Sequence, residues 1–92
     1  MIQSFKSSET ERLYRRHRVA RFSNIEKIAR RKLDQLNAAA TLAFLRVPPG
    51  NRLEALRGDR AGQYYIRIND QYRLCFVWSS QGPMDVEIVD YH

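Results

Sequence analysis

The sequence predicts an α+β domain, and three observations carry that prediction. Two segments of the first half place apolar residues at helical spacing, each behind a Ser-x-x-Glu start. The tract VPPGN then closes the helical half, because no helix crosses two prolines and a glycine. After Gly50 the apolar period falls to two and stays there. Two N-terminal helices therefore pack on one face of a small, mainly antiparallel sheet built by the C-terminal half. Ninety-two residues make one domain, 1–92, with no room for a second core.

Taken in order, MIQSF alternates apolar and polar residues and reads as a short first strand. Ser8 and Glu11 have capping-box spacing and predict a helix with Leu13 and Tyr14 inward. Ser23 and Glu26 repeat the spacing ahead of a second helix. Its inner face is Ile25, Ile28, Ala29, Leu33 and Leu36, and its solvated face Lys27, Arg30, Arg31 and Asp34. Between the helices Arg12, Arg15, Arg16, Arg18 and Arg21 crowd together, so this region should be loosely held unless something anionic neutralises it. Beyond Gly50, LEAL alternates, and Gly58 and Gly62 suit a turn that needs positive φ.

QYYIRI and YRLCFVW then form a hairpin whose register follows from its pattern. A three-residue loop, 69–71, sets Ile68 against Tyr72, Ile66 against Leu74 and Tyr64 against Phe76. Those six share one apolar layer, which Trp78 extends. A two-residue loop would put Ile66 opposite Arg73 and mix the layers. The same register makes Arg67 and Arg73 neighbours on the other face, beside Tyr65 and Cys75. Two adjacent arginines repel unless an anion sits between them. SSQGPM is the next turn, and DVEIVDYH the last strand. A strand tied into the sheet keeps a chain end ordered.

Sixteen Lys and Arg face ten Asp and Glu, for a net charge of +6 and a pI near 10.0. The bases are mostly arginine, which suits bidentate phosphate contact and stacking on bases. Nucleic acid or an acidic protein partner is expected. One cysteine, Cys75, rules out an internal disulfide and reads as a small buried hydrophobe in a reducing compartment. No stretch is long and apolar enough for a membrane span or a signal peptide, so a cytoplasmic protein without membrane contact is expected. His17 and His92 lack metal-ligand spacing, and no phosphate-cradling glycine loop or nucleophile elbow is present. Neither a metal nor another cofactor is expected. A helix-turn-helix is disfavoured because RVARF lacks the turn glycine.

These residues suit phosphodiester cleavage without a metal. The reaction needs a base for the attacking 2′-hydroxyl, cations at the pentavalent phosphate and an acid for the leaving oxygen. Arg67 and Arg73 supply charge. His92, with a reference pKa of ~6.5, serves as base or acid. Asp90 or Glu54 acts as a base or orients the histidine. Tyr91, Tyr64 or Tyr65 stacks on a base.

The stretch PPGNRLEALRGDRAGQYYIRINDQYRLCFVW, followed by VEIVDYH, resembles the HigB-type toxins of bacterial type II toxin–antitoxin systems, in the RelE superfamily. The G-x-R-x-G, I-R-x-N-x-Q-x-R and D-Y-H elements carry the likeness, which runs from MIQSF to the last histidine. It implies a compact RelE-like fold and an endoribonuclease cutting mRNA in the ribosomal A site. It also implies a HigA-like antitoxin with a helix-turn-helix DNA-binding domain, operator DNA being met only through that complex. By position, Arg73 matches the arginine stabilising the scissile phosphate, and Asp90, Tyr91 and His92 match residues needed for cleavage. Arg57 matches a basic position that meets the RNA backbone, and Arg67, Tyr65 and Gln71 join it as candidate RNA contacts. Two positions depart from the pattern: Glu54 stands where several members carry histidine, and Gln71 where some carry asparagine. Glu54 repels phosphate, so a slow nuclease is expected. The alternatives are a gyrase-inhibiting toxin of the same superfamily, or a basic ribosome- or RNA-binding module without cleavage.

Overall fold

The computed structural model describes residues 1–60 and 62–91. Helices α1 (Ser8–Tyr14) and α2 (Glu26–Ala38) precede strands β1 (Glu54–Ala55), β2 (Gln63–Arg67), β3 (Tyr72–Ser79) and β4 (Gly82–Asp90). The strands form one antiparallel sheet in sequence order. The helices cover one face, where Leu13, Phe22, Ala29, Leu33 and Leu36 meet Ile66, Leu74, Phe76, Val86 and Ile88 in one core. The α+β expectation is met.

The helix starts differ from their sequence signatures. The α1 cap is Ser7, not Ser8: its side chain accepts from the Thr10 amide at 3.2 Å. A tertiary contact decides between the two serines. Thr10 is buried, and its hydroxyl accepts the Ile88 amide of β4 at 2.9 Å, which fixes how α1 is rotated. Ser23 does not cap α2. It ends a 3₁₀ turn, Ala20–Phe22, and Ile25 stands at the α2 N-cap without a side-chain bond. Burying Phe22 and Ile25 outweighs a capping bond worth ~1 kcal/mol.

Three of the five clustered arginines are paired within the chain. Arg15 pairs with Glu11 at 3.0 Å, Arg21 with Glu9 at 3.0 Å and Arg16 with Asp34 at 2.8 Å. Arg30, expected on the solvated face, is half-buried and works as a staple. It pairs with Glu26 and donates to the carbonyls of Leu13 and His17 at 3.0 and 2.9 Å. Arg16 adopts φ 71°, and the His17 amide reaches the Arg12 carbonyl at 2.9 Å, a Schellman ending with arginine in the usual glycine place.

The β2–β3 hairpin has the expected register: Tyr64 faces Phe76, Ile66 faces Leu74 and Arg67 faces Arg73. The Ile68 amide reaches the Tyr72 carbonyl at 3.1 Å. Asn69 closes the loop by accepting from the amides of Gln71 and Tyr72. LEAL contributes only Glu54–Ala55 as strand, because Leu53 packs on the core. MIQSF supplies one parallel bridge, Phe5 to Val86, in place of a full strand. It lies against the point where β4 carries one extra residue and Asp85 takes φ 52°, so a regular ladder cannot run past it.

One buried polar contact had no sequence signal. Lys32 donates to Asn51, whose amide group donates to Gln35 at 3.3 Å and to the Leu45 carbonyl at 3.1 Å. Burial lowers the Lys32 pKa below 10.5, with Arg31 and Arg67 adding to the effect. Between the folded value and 10.5 the unfolded chain binds more protons, so this group's contribution to stability improves as pH rises through that window. Asn51→Ala is expected to cost about 1–3 kcal/mol, because it strands a buried ammonium and a buried carbonyl. A lowered urea midpoint at unchanged m-value checks this.

Candidate functional site

The sheet face turned away from the helices carries the predicted residues. Pairing sets Arg67 beside Arg73 and Tyr65 beside Cys75 on β2 and β3, and Cys75 beside Glu87 on β4. The repulsion between the two arginines is relieved by their own hairpin loop. Arg67 pairs with Asp70, and Arg73 donates to the Asn69 carbonyl at 2.7 Å. No external anion is needed to hold them together.

Aromatic rings fix where Arg73 lies. Its guanidinium carbon sits 5.8 Å from the Tyr65 ring centre and 5.2 Å from that of Tyr91. The two rings stack at 6.2 Å and 27°. Cation–π contact and the bond to the Asn69 carbonyl thus hold the charge in place. Tyr65 also donates its hydroxyl to Glu54 at 2.9 Å. Burial raises the Tyr65 pKa above 10.0; the bond to Glu54, that carboxylate's charge and Tyr91 add to the rise, and Arg73 opposes it. The phenol therefore stays protonated at neutral pH and keeps Glu54 as its acceptor.

The last strand delivers Tyr91 to this face, while Asp90, by its pairing, falls on the Tyr72 side at the sheet's end. Asp90 pairs with Tyr72, and the Tyr91 amide donates to the Gln71 carbonyl at 2.6 Å. The Gln71 side chain donates to Asp90 at 3.1 Å. Ladder bonds therefore continue through Tyr91, whose ring stays half-exposed at 54%. His92, expected beside them, lies outside the described residues.

A small cleft of about 90 Å³ opens between β1 and the paired arginines, lined by Arg52, Glu54, Tyr65, Arg67 and Arg73. The structure thus brings together Glu54, Tyr65, Arg67 and Arg73, with Tyr91 on the same face and the bonded Gln71 and Asp90 at the sheet's end. Arg57 is exposed just before a 3₁₀ turn, Gly58–Arg60, and does not line the cleft. Tyr64 lies on the helix-covered face, stacked on Phe76. Arg60 folds back to Gln63 at 2.9 Å and Glu87 at 3.4 Å, so the Cys75 end of this face is covered and the thiol is buried. Burial raises the Cys75 pKa, which makes it a poor nucleophile. Arg52 was missed in the sequence. No sequence signal pointed to it, because it precedes the strand and takes a left-handed backbone. Among the described residues no group of three His, Cys, Asp or Glu side chains is placed to hold a metal.

A family model described as the RelE-like toxin of type II toxin–antitoxin system HigB matches residues 3–92. The chain belongs to this family. Toxin HigB-1 of Vibrio cholerae is 46% identical over 81 residues, covering 85% of this chain and 84% of that protein. An uncharacterised protein of Haemophilus influenzae is 41% identical over 58 residues, covering 63% of this chain and 57% of that one. Among solved structures, a YoeB/ParE toxin from Agrobacterium tumefaciens superposes with a TM-score of 0.58 at 19% identity, over 99% of this chain and 98% of the other. That likeness establishes the shared RelE-like fold. The HigB-like chain is therefore a type II toxin, and membership implies an antitoxin partner. No helix among the described residues is long and apolar enough to cross a membrane.

Proposed function

We propose that this HigB-like toxin is a ribosome-dependent endoribonuclease that cuts mRNA in the A site without a metal and so stops translation in the cytoplasm. One observation carries the reading: Arg73 lies over Tyr91, at the end of the strand that also bears Asp90, beside a cleft holding Glu54. A rigid arginine aimed at a phosphate stabilises charge that grows in the transition state. Tyr65 and Tyr91 offer ring faces to an unstacked base. Asp90, His92 and Glu54 are the candidates for moving protons between the 2′-hydroxyl and the leaving 5′-oxygen. Arg67, Gln71 and Arg57 extend the contact along the RNA backbone. The partner in this reading is a HigA-like antitoxin with a helix-turn-helix domain, through which the pair meets operator DNA.

Mapping the 5′ ends of messages on purified, programmed ribosomes tests the reading. Cuts within A-site codons are expected. Intact message with bound toxin would replace the nuclease with a binding module, and inhibition of gyrase without cut message would replace it with the gyrase-directed alternative.

Glu54 bears on rate. Held by Tyr65 at the cleft wall, it opposes an incoming phosphate. Glu54→His removes that charge and supplies a titratable imidazole. Single-turnover cleavage is expected to rise about tenfold, below the ~10²–10⁴-fold of an optimally placed general acid or base. Equal rates would show that Glu54 does not slow the enzyme.

A further inference from the structure

Arg52 lines the cleft but has no role in the proposed reaction, and three observations single it out. It lines the same small cleft as Glu54, Tyr65, Arg67 and Arg73. Among the described residues no ion pair engages it. Its backbone takes φ 48° and ψ 56°, a left-handed conformation that disfavours a residue with a Cβ.

The neighbours explain how that conformation is maintained. Asn51, directly before it, is fully buried and bonded to Lys32, Gln35 and the Leu45 carbonyl. Leu53, directly after it, packs on the core. The backbone is fixed on both sides, and the residue between them has no inward course. Glycine or asparagine would fill this position with less strain, yet an arginine fills it. The buried Lys32–Asn51 contact therefore presents a long, exposed cation at the mouth of a phosphate-sized cleft.

We propose that Arg52 is a phosphate-binding residue of this site, which offsets the charge of Glu54 and seats the RNA backbone against Arg73. This rests on the RNA-cleaving reading above. Three arginines and one glutamate line the cleft and leave it formally positive, which Arg67 and Arg73 alone achieve only weakly because Arg67 is engaged by Asp70. In this view a lost cationic partner at position 54 is replaced two residues earlier.

The test uses Arg52→Gly, Arg52→Lys and the unaltered protein. Glycine relieves the left-handed strain, so R52G is expected to fold with an unchanged or raised Tm. Its single-turnover cleavage on programmed ribosomes is expected to fall about tenfold or more, while R52K retains most of the rate. A second arm measures salt-dependent binding of a short RNA with a 2′-O-methyl group at every nucleotide, which cannot be cleaved by 2′-hydroxyl attack. There R52G is expected to reduce the slope of log K against log salt by about 0.7, one phosphate contact on a single strand. A purely structural role would leave both readouts at the unaltered level, and either result, full cleavage by R52G or an unchanged slope, overturns the proposal. If the unaltered protein cuts no message, the nuclease reading fails on its own, and the slope alone decides whether Arg52 holds phosphate.

Discussion

Arg73→Ala is expected to lower single-turnover cleavage of ribosome-bound message by about 10²–10³-fold, the usual effect of removing one fixed donor from a developing anion. The argument is one of pre-organisation. Arg73 stands on β3, within the sheet, and its guanidinium is placed by two rings and the Asn69 carbonyl. It therefore spends little reorganisation energy when charge appears on the phosphate. Alanine removes those contacts as well, at a cost of roughly 1–2 kcal/mol in stability. A folded domain tolerates such a loss. Arg73→Lys separates the two effects. It keeps the charge but not the planar fork that stacks on Tyr65 and Tyr91, so an intermediate rate is expected. Near-normal cleavage by folded Arg73→Ala would remove Arg73 from the chemistry.

Deletion of His92 is expected to lower cleavage by about 10²–10⁴-fold, the range for a lost general acid or base, with no change in Tm. The second half of that expectation comes from the sheet. The last ladder bond runs from the Tyr91 amide to Gln71, and Gln71 returns a side-chain bond to Asp90. The deletion leaves these bonds untouched. The pH–rate profile discriminates further. A limb from a titrating imidazole is expected for the full chain and absent from the deletion. A deletion that cleaves normally, with the same limb, would assign proton transfer to another group. Both variants should be compared on the same programmed ribosomes, because the substrate's geometry is part of the reaction.

Much of the fold was legible because two periods are written plainly in the chain. The hairpin is the clearest case. Tyr64, Ile66 and Ile68 alternate with Tyr65 and Arg67, so only one register keeps the layers separate, and that register is the one observed. The inner face of α2 was readable for the same reason. Local capping signals failed where distant partners decided. Thr10 is drawn to Ile88, and Phe22 and Ile25 to the core, contacts that no three-residue pattern encodes. The partners of the arginine cluster were not legible for the same reason, since Asp34 and Glu9 reach Arg16 and Arg21 across gaps of 18 and 12 residues. Within the site, Arg73, Tyr65 and Arg67 followed from strand parity. Arg52 did not, because its exposure depends on a left-handed backbone imposed by Asn51 and Lys32.

The contact between Phe5 and Val86, with that between Thr10 and Ile88, bears on how the toxin is made. These pairings join the first and last segments of the fold, about as far apart in sequence as the chain allows. Contacts of such separation form late. A nascent chain still threaded through the exit tunnel lacks β4, and with it the partner of the N-terminal segment, the acceptor pairing of α1 and the strand bearing Asp90 and Tyr91. The half-made protein is thus a sheet without its edge and a site without its acidic end. On the proposed reading, cleavage awaits the pairing of β4, because until that strand joins the sheet Tyr91 does not stand beside Arg73.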